Sequence, residues 1–113
     1  MLINYSNITN MMAENQLKLM NESTVEQLAD LFDELSDPTR LRIIAALLEC
    51  EMSVGELART VGLSTSAISH QLHGMRDRRL IRMRKQGRHV FVCMDDEHVI
   101  ELFKRGLDHV SHD

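Results

Sequence analysis

A chain of 113 residues, 43% of them hydrophobic, with no tryptophan and one proline, suits a single small helical core and is short for two independent ones. No apolar run approaches a membrane span, and the first twenty residues lack a basic start followed by an apolar block, so we expect a soluble, cytoplasmic protein without membrane contact. The net charge of −4 argues only weakly against nucleic acid, because phosphate attraction depends on where charge is placed.

Residues 1–22 are rich in Asn and Met, show no clear period, and read as a mobile N-terminal arm or a loose helix. The domain is expected over 23–113. Its opening "STVE" reads as a capping box of Ser23 and Glu26, followed by Val25, Leu28, Leu31, Phe32 and Leu35 at helical spacing, which predicts a first helix over about 24–35. In "SDPTRLRIIAALLEC", Asp37 suits an N-cap and Pro38 the first helical position, where its missing N–H costs nothing; this helix should reach about Cys50.

A second capping box, "SVGE" at Ser53 to Glu56, opens a short helix that stops before Gly62, a residue suited to a left-handed cap. Ser64 then caps a fourth helix with Ala67, Ile68, Leu72 and Met75 on one face. Two short helices meeting at a glycine turn form a helix-turn-helix pattern, the second helix being the reader. "LIRMRK" and "HVFVCM" alternate around "KQGR", whose Gly87 suits a hairpin turn, so a wing follows. The last helix runs from about Asp95 or Asp96 to Val110. The expected fold is mainly α with a small β-hairpin wing, a winged helix-turn-helix of order α-α-α-α-β-β-α.

Between Arg76 and Arg88 lie seven basic residues (Arg76, Arg78, Arg79, Arg82, Arg84, Lys85 and Arg88) and one acid, Asp77, a stretch of net +6 on an otherwise acidic chain. A local basic patch is what a DNA-binding module needs, although a solvated charged surface would read the same way. The polar face of the reading helix carries Thr65, Ser66, Ser69, His70 and Gln71, whose side chains can bond phosphates and base edges. Arg84, Lys85 and Arg88 on the wing, with Arg76 and Arg82, would hold the neighbouring backbone. Cys50 and Cys93 make no disulfide framework and are expected to be buried thiols.

From about Leu35 to His112 the chain resembles the ArsR/SmtB family of metal-sensing winged helix-turn-helix repressors. The match rests on "LSDPTRLRIIAALL", "SVGELARTVGLSTSAISHQL", "LIRMRKQGRHVFV" and the terminal Asp96-x-His98 with His109-x-x-His112. The resemblance implies a homodimer that binds an inverted-repeat operator in double-stranded DNA when metal-free and releases it when metal binds. By matching position, Ser66, Ser69 and His70 inherit operator contacts, with Thr65 beside them. The family's cysteine motif is absent: "EMSVGEL" has Ser53 and Gly55 at the two cysteine positions, which argues against a thiolate site for a soft metal.

In the last helix, His98 and His109 are 11 residues apart, about 20° past three full turns and about 16 Å along the axis. They share a face at opposite ends. His109 and His112 are i, i+3 neighbours, while Asp96 and His98 converge only if Asp96 sits at or before the first turn. A second copy of the helix laid antiparallel would match front pair to back pair and create two identical intersubunit sites. One carboxylate oxygen and three imidazoles suit Zn²⁺ first, Co²⁺ second and Ni²⁺ third.

A zinc hydrolase is the rival reading among enzymes. Four protein ligands leave no open position for water and no general base adjoins them, so no enzymatic activity and no small-molecule substrate are expected. Two other rivals are a winged-helix regulator with no metal switch, responding to thiol oxidation or another effector, and a zinc buffer that does not bind DNA.

Overall fold

The computed structural model describes residues 5–112, in the order α1 (Tyr5–Leu19), α2 (Glu22–Leu35), α3 (Pro38–Leu47), β1 (Met52–Ser53), α4 (Val54–Val61), α5 (Thr65–Asp77), β2 (Ile81–Gln86), β3 (His89–Met94) and α6 (Glu97–Ser111). These fall into two compact units that divide between Ser36 and Asp37.

The first unit differs most from the sequence expectation. Tyr5–Leu19, read as a mobile arm or a loose helix, is helical, the second of those two forms; residues 1–4 lie outside the described residues. α2 begins at Glu22 because Asn21, not Ser23, is its N-cap: Asn21 Oδ1 accepts from the Thr24 N–H at 3.0 Å. Ser23 lies inside the helix, where its hydroxyl accepts from Gln27 Nε2 at 3.2 Å. Either residue type can cap. The periodic stripe is present, yet no residue of α2 is buried, and Val25, Leu28 and Phe32 remain 39–51% exposed.

The second unit follows its sequence closely. Asp37 caps α3 by accepting from the Arg40 N–H at 3.0 Å, with Pro38 in the first turn, and Ile43, Ile44 and Leu47 enter the core. Gly62 ends α4 with φ 81°, and the N–H groups of Gly62 and Leu63 both donate to the Ala58 carbonyl. That positive φ turns the chain sharply into Ser64, the cap of α5. The core is completed by Leu57, Ile68, Leu72, Met75, Leu80, Ile81, Val92 and Val99, each at most 2% exposed. Burial of one such side chain stabilises by about 1.5–3 kcal/mol.

β2 and β3 form the expected hairpin, in register from Ile81 opposite Met94 to Gln86 opposite His89. The turn Gly87-Arg88 takes positive φ only at Gly87, the pattern of a type II′ turn. β1 was not expected from sequence. Its two residues pair antiparallel with β3, Met52 opposite Val92 and Ser53 opposite Phe91, giving sheet order β1-β3-β2. Two residues carry too little alternation to announce a strand. Among the described residues no helix is long and apolar enough to cross a membrane.

Candidate functional site

The reading helix α5 is oriented by what it buries. Ile68, Leu72 and Met75, at i, i+4 and i+7, are fully buried on one stripe. Ala67 was assigned to that stripe from sequence but is exposed, one helical step off the axis the other three set. The opposite face presents Ser66 and His70 to solvent, Thr65 is exposed at the first position of the helix, and Ser69 and Gln71 are half-buried beside them.

Two clefts divide four of these side chains, and Ser66 lines neither. One, of about 510 Å³, brings His70 and Gln71 together with His73, Asp77, Arg78 and Arg40. The other, of about 390 Å³, joins Thr65 and Ser69 to Arg88 and His89 of the wing and Ser53 at the start of α4. Reading helix and wing therefore share the lining of one cleft. Arg40 did not emerge from the sequence reading; its one signal is a cation in the first turn of α3, where the helix dipole disfavours positive charge.

Folding redistributes the basic stretch. Arg82 Nε lies 3.0 Å from Asp95 Oδ1, Arg76 Nη2 lies 3.7 Å from Asp77 Oδ1, and Arg84 makes a two-pronged ion pair with Glu51. Glu51 and Asp95 come from outside the stretch, so counting charge along the chain could not reveal this neutralisation. Hydrogen bonding to Arg84 holds the Glu51 carboxyl below its ordinary pKa and, reciprocally, the guanidinium of Arg84 above its own. Lys85 and Arg88 stay exposed at the wing tip.

At the other end of the chain, Asp96 is the N-cap of α6. Its backbone is extended, and its Oδ1 accepts from the N–H groups of His98 at 2.8 Å and Val99 at 3.3 Å while lying 3.6 Å from His98 Nδ1. The geometry expected of that front pair is thus the geometry of the cap. His98, His109 and His112 are exposed, His112 one residue beyond the last helical turn. Among the described residues no three His, Cys, Asp or Glu side chains gather closely enough to hold a metal. Val99 anchors the first turn in the core, whereas Leu107 and Val110 are 49% and 77% exposed. Both cysteines are free thiols, but Cys50 is exposed and Cys93 half-buried, which corrects the expectation that both are buried.

Comparison with known proteins decides the family. The model of the bacterial regulatory protein arsR family matches residues 37–83, the segment from the Asp37 cap to the start of the wing. The transcriptional repressor SmtB homolog of Synechocystis is 39% identical over 96 residues, covering 85% of this chain and 73% of that repressor. This chain belongs to the ArsR family. Within it, the cadmium resistance transcriptional regulatory protein CadC homolog of Staphylococcus aureus is 37% identical over 82 residues, covering 72% of this chain and 68% of that protein. The crystal structure of the AntR antimony-specific transcriptional repressor superposes with a TM-score of 0.77 at 30% identity, covering 82% of this chain and 85% of that one. A homodimeric winged helix-turn-helix DNA-binding domain from Mycobacterium bovis, 22% identical, shares the fold with a TM-score of 0.71 over 83% of this chain and 91% of its own. The proteins of this family are DNA-binding transcriptional regulators, not enzymes, and the fold of this chain is theirs.

Proposed function

We propose that this ArsR-family chain is a metal-responsive repressor that binds an inverted-repeat operator as a metal-free homodimer and leaves it when zinc, or cobalt in its place, binds two intersubunit sites. The observation that carries the reading is the division of α6. Ligand-type side chains stand at both ends of one helix, about 16 Å apart along its axis, and the two ends do not meet within a protomer.

Asp96 and His98 of one protomer, with His109 and His112 of the other, would hold the ion. The donor set fits, being one carboxylate and three imidazoles, borderline-to-hard ligands suited to tetrahedral coordination. The cap contacts of Asp96 all use Oδ1, which leaves Oδ2 to turn toward a ligand site without uncapping the helix. Exposed Leu107 and Val110 supply apolar surface for an antiparallel helix partner. When bound, the ion cross-links the two terminal helices. The resulting change in spacing between reading helices would misalign them with successive major grooves. The ring nitrogen of His109 that faces away from the ion would carry the change by bonding backbone near the end of α5.

Thr65, Ser66, Ser69, His70 and Gln71 would meet the major groove, and Lys85 and Arg88 the adjacent phosphates. Arg84, read from sequence as another phosphate contact, is engaged by Glu51. A second reading, in which a thiol rather than the histidines senses the signal, draws on the exposure of Cys50. Operator binding by wild type and His109→Ala, with zinc titrated in and chelated out, separates the two. Wild-type binding that ignores zinc defeats the metal reading, and a normal zinc response in His109→Ala removes the terminal site from the switch.

A further inference from the structure

Arg84 is held from three sides. Its Nε donates to Glu51 Oε2 at 2.9 Å, its Nη2 to Glu51 Oε1 and its Nη1 to Gln86 Oε1, while Cζ lies 4.7 Å from the centre of the Phe91 ring. All three guanidinium nitrogens therefore donate inside the protein. Because the sheet order is β1-β3-β2, Arg84 on β2 and Glu51 just before β1 flank the middle strand, and their ion pair spans it over Phe91. β1 pairs with β3 through only two residues, so the backbone ladder on that side is short and a side-chain brace adds materially to it.

Two of the five guanidinium N–H groups make none of these bonds, but a DNA phosphate meeting them would find a charge already offset by Glu51. A phosphate competing for the forked edge would exchange one charge-assisted pair for another and leave Glu51 unpaired beside the incoming negative charge. Such an exchange yields little net attraction. Lys85 is the next residue along β2, and Arg88 sits two residues past Gln86, which Arg84 also holds.

We propose that Arg84 is a positioning residue: with Glu51 it braces the wing across β3 so that Lys85 and Arg88 meet the DNA backbone, and it makes no phosphate contact of its own. The proposal rests on the operator-binding reading above, and it assigns Glu51, an acid, a constructive part in DNA recognition.

The test uses the full-length chain and a duplex that the wild-type protein selects from a random pool, with affinity measured across salt concentrations. Lys85→Gln should reduce the slope of log affinity against log salt by about 1.8, because the homodimer loses one phosphate contact per protomer and each contributes about 0.9. Glu51→Gln and Arg84→Gln should each weaken binding by about three- to tenfold and leave that slope unchanged, as loss of an exposed but bidentate pair predicts. The reversed pair, Glu51→Arg with Arg84→Glu, should recover most of the affinity. A slope reduced in Arg84→Gln, tighter binding by Glu51→Gln, or unchanged affinity in both overturns the proposal. Amide hydrogen exchange of residues 85–90 in the DNA-free protein should quicken in Glu51→Gln, and unchanged exchange also overturns the brace. Failure of the wild type to select any duplex counts against operator binding, while the exchange measurement still decides the brace.

Discussion

The Ser53 hydroxyl accepts from the Glu56 backbone N–H at 3.2 Å while the Glu56 carboxylate accepts from the Ser53 backbone N–H at 3.2 Å, a reciprocal box that starts the first helix of the DNA-reading motif. Ser53→Ala should cost about 1 kcal/mol, read by chemical denaturation. The Ser53 side-chain and backbone hydrogen bonds hold the Glu56 carboxyl below its ordinary pKa. A carboxyl lowered on folding stabilises fully above its unfolded pKa, and that contribution fades as pH falls through the lowered folded value. In Glu56→Gln the acid side of the stability profile should therefore flatten, and an unchanged profile would show that the box carries no pH dependence.

Leu80 N–H donates to the Met75 carbonyl at 3.0 Å, and Arg79 N–H to the Arg76 carbonyl at 2.9 Å, so α5 ends in the same kind of left-handed cap as α4, but with Arg79 at φ 62° where a glycine would be unstrained. Arg79→Gly relieves the strain at some cost in unfolded-state entropy, and should raise stability by about 0.5–1 kcal/mol. Gly62→Ala, at φ 81°, should lower it by about 1 kcal/mol. Opposite signs at two caps of one motif, measured by thermal melts of the two variants, test the assignment directly.

Leu72 is fully buried and helps set which face of α5 points outward. Leu72→Ala should cost about 2–5 kcal/mol, the range for a core leucine truncated to alanine. Equilibrium unfolding measures the loss, and a cost under about 1 kcal/mol would mean the core closes around the cavity without strain.

Val110 is 77% exposed near the end of α6. If that end packs against a partner helix, Val110→Asp should weaken self-association at least tenfold, because a carboxylate would be desolvated at an apolar contact. Sedimentation at graded concentrations checks this, and an unchanged dimer would move the interface away from this turn. Chelating zinc from the wild type should shift zinc-sensitive DNA binding without dissociating the dimer.

Local chemistry determined much of this protein. The Asp37, Ser53 and Ser64 caps, the left-handed Gly62, the Gly87 turn and the buried stripe of α5 are all visible in sequence because each depends on residues within a few positions of one another. The same holds for the spacing in α6, since a regular helix converts residue number into length and angle. Residues close in sequence did mislead where two candidates compete for one role, as Asn21 and Ser23 do for the cap of α2. What only the tertiary structure decided involves partners far apart along the chain. β1 exists because Met52 and Ser53 find β3, Arg40 reaches the cleft beside His70 because α3 packs in the same core, and Arg84 is drawn to Glu51 across a strand. A run of arginines reads as one patch in sequence because charge adds along a line; in the fold, Asp95 and Glu51, brought from outside the run, engage Arg82 and Arg84 and offset part of that charge.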